Sequence, residues 1–129
     1  MNILIADDHA NVRRGLREIL SDAFLGARFS EACDGDGVLT ELLRSPHDVL
    51  LLDINMPGRS GMDVLKDVKI IFPQLPVIMV SVQPENQYAS RCLRAGATAY
   101  INKNSASEEL APAIQKILDG GANPVWNPN

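Results

Sequence analysis

Five strand-like runs, four of them apolar and each followed by a segment of helical periodicity, predict a doubly wound α/β domain built on a five-stranded parallel sheet. Three observations carry that prediction. Strand-like and helix-like segments alternate along the chain, and crossovers of helix length join parallel strands with a right-handed turn, covering both faces of the sheet. The run Val49-Leu50-Leu51-Leu52 is apolar at consecutive positions, as a strand buried on both faces must be. Finally, the runs end on chemistry-bearing residues: Asp7 and Asp8 after the first, Asp53 after the third, Ser81 after the fourth and Lys103 after the fifth.

Strand one is Asn2-Ile3-Leu4-Ile5-Ala6, and helix one follows from roughly Ala10 to Ala23. Val12, Leu16, Ile19 and Leu20 recur at helical spacing, which leaves Arg13, Arg14, Arg17 and Glu18 for a solvated face. Strand two, near Arg28 to Cys33, is short and polar and belongs at a sheet edge. Asp34-Gly35-Asp36-Gly37 reads as a turn; it lacks the further ligands and closing Glu of a calcium loop. Helix two then runs from about Gly37 to Arg44 and stops at Ser45-Pro46, and strand three covers Asp48 to Asp53. Past the Pro57-Gly58 turn, helix three spans about Gly61 to Phe72, with a stripe of Val64, Leu65, Val68, Ile71 and Phe72.

Strand four is Val77-Ile78-Met79-Val80. Helix four begins after Pro84, has the thin stripe Ala89, Cys92 and Leu93, and is capped by Gly96. So few anchors mark a candidate mobile element. Strand five is Thr98-Ala99-Tyr100-Ile101, and Ser105-x-x-Glu108 matches a capping box ahead of helix five. That helix carries Leu110, Ala113, Ile114, Ile117 and Leu118 and ends at Gly120-Gly121. Pro112 conflicts with it, so the helix either starts late or bends. Residues 1–121 thus form the domain, and Ala122 to Asn129, rich in proline and asparagine, reads as the start of a linker.

Composition narrows the function classes. At 129 residues the chain is one domain with a real core. Its net charge of −4 makes it a poor binder of nucleic acid through phosphates. No apolar stretch reaches the ~18 residues of a membrane span, and no signal-peptide pattern opens the chain. Cys33 and Cys92 form no C-x-x-C, and the expectation is two reduced thiols in a cytoplasmic protein.

In open parallel sheets, ligands sit outside the carboxyl ends of the strands, where the winding reverses. If strands one and three are neighbours, Asp7, Asp8 and Asp53 share that crevice. Three close carboxylates need a cation, and oxygen ligands suit a hard one, Mg²⁺ or Mn²⁺. Asp8 and Asp53 are expected as direct ligands with the Asn55 backbone carbonyl as a third, and Asp7 acts through water. A carboxylate is also a competent phosphoryl acceptor. Phosphoryl transfer asks for positioning and charge neutralisation, which the metal, the Ser81 hydroxyl and the Lys103 ammonium can supply around Asp53. Singly these signals are weak: an Asp pair before a helix is more often a cap, a Ser after a strand a turn residue, and a Lys there a solvated charge. Their joint placement on strand ends is what carries the reading. His9 lies beside the site without binding metal, and His47 sits in a surface loop.

With those residues in hand, the chain resembles the receiver domain of two-component response regulators. The resemblance covers residues 2 to 121 and is carried by Ile3-Leu4-Ile5-Ala6-Asp7-Asp8-His9, by Leu51-Leu52-Asp53-Ile54-Asn55-Met56-Pro57-Gly58 through Gly61, by Pro76-Val77-Ile78-Met79-Val80-Ser81, and by Ala95-Gly96-Ala97-Thr98-Ala99-Tyr100-Ile101-Asn102-Lys103. Asp-Asp-His and the Gly120-Gly121 ending are most similar to the NarL/FixJ (LuxR-type) subfamily. The resemblance implies a flavodoxin-like (βα)5 fold of strand order 2-1-3-4-5. It implies a sensor histidine kinase as phosphoryl donor to Asp53, with Mg²⁺ held by Asp7 and Asp8. Ser81 takes the family's hydroxyl position, Lys103 its lysine position and Tyr100 its switch aromatic. On phosphorylation Ser81 moves toward the phosphate and Tyr100 turns inward, biasing the surface of helix four, strand five and helix five toward a partner or a second copy. Asn55 and Gln83 fall where the family tunes phosphate lifetime. Asn104 stands where many receivers have a cis proline. The subfamily further implies a C-terminal helix-turn-helix domain beyond this chain, which would carry DNA binding for transcription control.

Two other functions fit parts of the pattern. A hydrolase with an aspartyl-phosphate intermediate, as in haloacid-dehalogenase-like phosphatases, needs an acid two residues after the nucleophile, where this chain has Asn55. A receiver-like interaction module that is never phosphorylated would be expected to lose an acid or the lysine, and all are present. The expected role is therefore an acceptor and switch, not a turnover enzyme.

Overall fold

The computed structural model describes residues 1–120. The order is β1 (Asn2–Ala6), α1 (Ala10–Ala23), β2 (Arg28–Ala32), α2 (Gly35–Arg44), β3 (Val49–Leu52), α3 (Gly61–Ile71), β4 (Val77–Ser81), α4 (Glu85–Arg94), β5 (Ala99–Asn102) and α5 (Ala106–Leu118). The five strands are parallel, in the order β2-β1-β3-β4-β5. This is the expected fold, with the polar strand β2 at one edge. The expected linker from Ala122 onward lies outside the described residues.

The period-2 alternation of the strands separates two cores. Leu4 and Ala6, Leu50 and Leu52, Val77 and Met79 face α2, α3 and α4, where Val38, Val64, Leu65, Val68 and Cys92 complete the packing. Ile3 and Ile5, Val49 and Leu51, Ile78 and Val80 face α1 and α5, and meet Leu16, Leu20, Leu110 and Ile114. The winding therefore reverses between β1 and β3, whose residues Ile3 to Ala6 pair with Val49 to Leu52. The crevice at their carboxyl ends is where the acids converge.

Several local expectations change. Asp34-Gly35-Asp36-Gly37 is the start of α2, because the Asp34 carboxylate accepts from Gly37 N at 2.8 Å and caps the helix. Ile71, placed in the apolar stripe of α3, is 51% exposed because it lies off the face that Val64, Leu65 and Val68 bury, whereas Phe72 next to it packs against the core. Arg13 and Arg17 are not simply solvated: both pair with Glu31 of β2, and Arg17 also lies over the Phe29 ring. No capping box forms at Ser105. The chain leaves β5 through a 3-10 turn, Lys103–Ser105, in which the Asn102 side chain accepts from Asn104 N at 2.9 Å. Ser105 is left near φ −107°, ψ 4°, without a side-chain cap bond. No cis peptide occurs among the described residues, so the bond to Asn104 is trans. Helix α5 does not start late; Pro112 sits inside it on the solvent side, where the lost hydrogen bond to the Glu108 carbonyl exposes an acceptor to water.

Candidate functional site

Each strand end delivers its side chain for a backbone reason. Asp7 N donates to Ala32 O and Asp53 N donates to Ala6 O, so the ladder holds both aspartates one step past β1 and β3. Opposite them, α3 begins against the backbone of Asp53: Gly61 N donates to Ile54 O at 2.6 Å. A Cβ at Gly61 would lie 2.0 Å from the Asp53 carbonyl oxygen, so only glycine admits this approach. The Ser60 hydroxyl caps the helix by accepting from Asp63 N.

The result is a buried, charged pocket floor. Asp7 is 1% and Asp53 3% exposed. Lys103 Nζ lies 2.7 Å from Asp7 Oδ2 and 3.5 Å from Asp53 Oδ2, bridging the ends of β1, β3 and β5. Asp8, more open, and His9 complete a group whose ligand atoms all fall within 4.8 Å of one another with Asp7 and Asp53. The Asp53 carboxyl is pushed above its ordinary range by burial first and by the Asp7 charge second, with Lys103 and the Asn55 backbone N–H opposing the shift.

Asp53 therefore charges only against its surroundings when no further cation is present. Its folded-state value is raised, so the stability it contributes is complete below the unfolded value of 3.8 and is lost as pH rises through the higher folded value. Asp53→Asn is expected to raise the melting temperature at pH 7 in chelator, and to lose that advantage at pH 3. A divalent ion held at these carboxylates would supply the same relief to the native chain: at a hundred times its Kd, it would add ~2.7 kcal/mol to wild type. A melting curve of Asp53→Asn equal to or below wild type in chelator at pH 7 would contradict the electrostatic reading.

The other expected residues form an adjoining relay. Ser81 is fully buried, and its hydroxyl accepts from Gln83 N at 3.1 Å. Tyr100 O–H donates to Gln83 O at 2.6 Å, and its ring is 2% exposed in the core under α4. The expected inward turn of Tyr100 presupposes an outward ring, whereas here the ring is already inward, held by the Gln83 carbonyl. The hydroxyl's pKa is raised by that burial. Lys103, Asp7 and Asp53 are brought into contact, and Asp8 stands beside them. Ser81 is one strand away and engaged with Gln83.

Arg13 and Gly61 contribute in ways the sequence did not reveal, and His9 stands beside the site as expected. Arg13 donates from Nη1 to the Asp7 carbonyl at 2.7 Å while its Nε holds Glu31 at 2.8 Å, fixing the β1–α1 loop. His9 Nδ1 lies 3.1 Å from Asp7 Oδ1 and 3.0 Å from Asp8 Oδ1. Gly61 makes the close approach described above. Of Arg13 and Gly61, Gly61 was the more accessible, as a glycine opening the helix that follows the acid-bearing strand. His47, expected in a surface loop, is half-buried and ties that loop to β2 through Ser30 Oγ at 3.1 Å.

A family model described as the response regulator receiver domain matches residues 3–115. The chain is 36% identical over 121 residues to the glycerol metabolism activator of Pseudomonas putida, covering 92% of this chain and 54% of that protein. The fold is similar to that of the Salmonella typhimurium RcsB response regulator, solved in a study of DNA interaction. The TM-score is 0.89 at 26% identity, over 99% of this chain and 63% of that one. It is also similar to Thermotoga maritima TrrA, solved in complex with Mg²⁺-BeF, at TM-score 0.80 and 27% identity over 90% and 97% of the two chains. Regulators of the NarL/FixJ type are among the relatives. The chain spans about half the length of the curated relatives it matches.

Proposed function

This chain belongs to the response regulator receiver family, and from that premise we propose that it is a phosphorylation-controlled switch that accepts a phosphoryl group on Asp53 from a partner histidine kinase. The observation that carries the reading is the placement of Lys103 between two buried carboxylates, one of them raised above its ordinary pKa. An Asp53 oxygen attacks the phosphorus of the donor, the P–N bond of the phosphohistidine breaks, and its electron pair leaves with the imidazole, which takes up a proton. The Lys103 ammonium pairs with one of the charged oxygens of the transferred group, and Ser81 donates its hydroxyl proton to another after leaving Gln83 N.

The residues fit a divalent metal. Asp7 Oδ2 is buried without an aligned hydrogen bond, although the Lys103 ammonium stands 2.7 Å away, and of the three carboxylates gathered here the lysine pairs with two, Asp7 and Asp53. Asp8, Asp53 and the Asn55 carbonyl would hold Mg²⁺, or Mn²⁺, with Asp7 acting through water. When bound, the ion supplies charge neutralisation at the transferred oxygens. TrrA, solved with Mg²⁺-BeF, supports that choice.

The output would pass through Ser81, Gln83 and Tyr100 to the face of α4, β5 and α5. A groove of about 550 Å³ lies there, lined by Glu85, Tyr100, Glu108, Pro112 and Lys116 among others, and it offers a surface for a partner or a second copy. Transcription control in the cytoplasm would be exerted by a DNA-binding segment outside this chain, as the study of DNA interaction by RcsB suggests.

Acetyl phosphate with and without Mg²⁺, read by intact mass, tests the proposal. The expected result is a Mg²⁺-dependent gain of one phosphoryl group that Asp53→Asn abolishes. A folded protein that binds Mg²⁺ yet gains no mass from either acetyl phosphate or a phosphorylated kinase would overturn it and favour the interaction module.

A further inference from the structure

We propose that Arg13 is a positioning residue for the metal site, acting through the backbone that carries Asp8. The inference rests on the metal-site reading above but not on phosphoryl transfer. Its basis is the peptide unit between Asp7 and Asp8. That unit is planar, so the direction of the Asp7 carbonyl sets the direction in which the chain enters Asp8. Arg13 Nη1 donates to this carbonyl at 2.7 Å, from a side chain that is only 18% exposed. The flanking groups are fixed as well. Asp7 N donates to Ala32 O at 3.1 Å, and Asp7 Oδ1 accepts from His9 N at 2.9 Å in an Asx turn. The arginine thus closes the last free direction of the turn on which Asp8 stands.

Asp8 needs that support more than its neighbours do. Its side chain is 31% exposed against 2% for Asp7 and 4% for Asp53, so less packing holds it and its backbone must. The start of α1 offers little help, because His9 caps it without a side-chain hydrogen bond and no acid lies in its first turn. Arg13 is itself anchored: its Nε donates to Glu31 Oε1 at 2.8 Å, and Arg17 Nη1 holds Glu31 Oε2 at 3.3 Å. The guanidinium presents its donors in one rigid fork, which lets a single planar group span the Glu31 carboxylate and the Asp7 carbonyl; a lysine ammonium has no such fork. Groups that orient metal ligands from behind commonly govern metal affinity by about 10–100-fold. The charge of Arg13 acts in the opposite sense, since a cation near the carboxylates repels a divalent ion. Weaker metal binding on removal of that charge is therefore a sign of lost geometry.

Titration calorimetry of the chain with Mg²⁺ tests this, each variant being held at a temperature where circular dichroism shows it folded. Arg13→Gln is expected to weaken Mg²⁺ binding by about tenfold although it removes a positive charge. Arg13→Lys keeps the charge but loses the fork, and is expected to weaken binding by a similar factor. Arg14→Gln removes the same charge one residue along, from an exposed side chain where solvent screens it, and is expected to stay within about twofold of wild type. Folded Arg13→Gln and Arg13→Lys that bind Mg²⁺ as tightly as wild type, or more tightly, would overturn the positioning role while leaving the Mg²⁺ site standing. A loss in Arg14→Gln equal to that in Arg13→Gln would overturn it too, by showing that the effect does not pass through the Asp7 carbonyl. Folded wild type that binds no Mg²⁺ would overturn both the positioning role and the metal site.

Discussion

Replacing Gly61 by alanine is expected to destabilise the domain by about 3 kcal/mol, the upper range for forcing atoms into a packed interior. The new methyl would sit 2.0 Å from the Asp53 carbonyl oxygen and 2.7 Å from the Ile54 Cα, and both are backbone atoms. No rotamer relieves such a clash; α3 or the Asp53 loop must move by about 1 Å. Displacement on that scale at a reacting group can cost ~100-fold in rate. Fully folded Gly61→Ala, at temperatures well below its melting point, is therefore expected to accept phosphoryl groups roughly 100-fold more slowly than wild type. Gly15 provides the contrast. It lies within α1 with no atom within 4 Å of its missing Cβ, and Gly15→Ala is expected to stabilise by about 0.5–1 kcal/mol through helix propensity and a stiffer unfolded chain. Chemical denaturation of both variants checks the pair. Equal stabilities for Gly61→Ala and wild type would mean that α3 does not rest on the Asp53 backbone.

Strands β1, β3, β4 and β5 were legible because they are buried on both faces, where burial writes itself as consecutive apolar residues such as Val49 to Leu52. The acids, Ser81 and Lys103 were legible because a polar residue ending such a run has few structural reasons to be there. Side chains acting across elements were not legible. Nothing in the spacing of Arg13 distinguishes it from Arg14, and only the tertiary fold brings it to Glu31 and the Asp7 carbonyl. Local signals failed where two motifs share residues. Asp-Gly-Asp-Gly suits a turn, yet Asp34 spends its carboxylate on Gly37 N and starts a helix, and Gly35 can then pack tightly against Val64. Ser105 and Glu108 have capping-box spacing, but the 3-10 turn ahead of them sets the wrong backbone angles. The inward position of Tyr100 depends on a Gln83 carbonyl 17 residues away in sequence, so no local pattern could place the ring.

Lys103→Met separates the two tasks assigned to the ammonium, since methionine keeps the length and removes the charge. In wild type that charge stands 2.7 Å from Asp7 Oδ2 and 3.5 Å from Asp53 Oδ2, repelling any metal those oxygens would hold. Its removal is expected to tighten Mg²⁺ binding at least about fivefold, since two charges a few ångströms apart interact by ~1 kcal/mol even when screened by bulk water. Phosphorylation by acetyl phosphate is expected to fall by roughly 100-fold or more, the cost of losing one preorganised donor at developing charge. Stability should respond as a third, separable quantity. Without the ammonium, Asp7 and Asp53 are left buried and like-charged, and breaking such a group by removing one partner costs ~3 kcal/mol or more. The folded Asp53 value moves further up, so the loss is present at pH 7, shrinks as the pH falls through that raised value, and vanishes below the unfolded value of 3.8. Mg²⁺ should restore much of it at neutral pH. Tighter Mg²⁺ binding with slower phosphorylation would identify Lys103 as a group that acts on the transferred oxygens and not on the metal. Weaker Mg²⁺ binding would show instead that the lysine organises the carboxylates, and the proposed division of labour between ammonium and metal would fail.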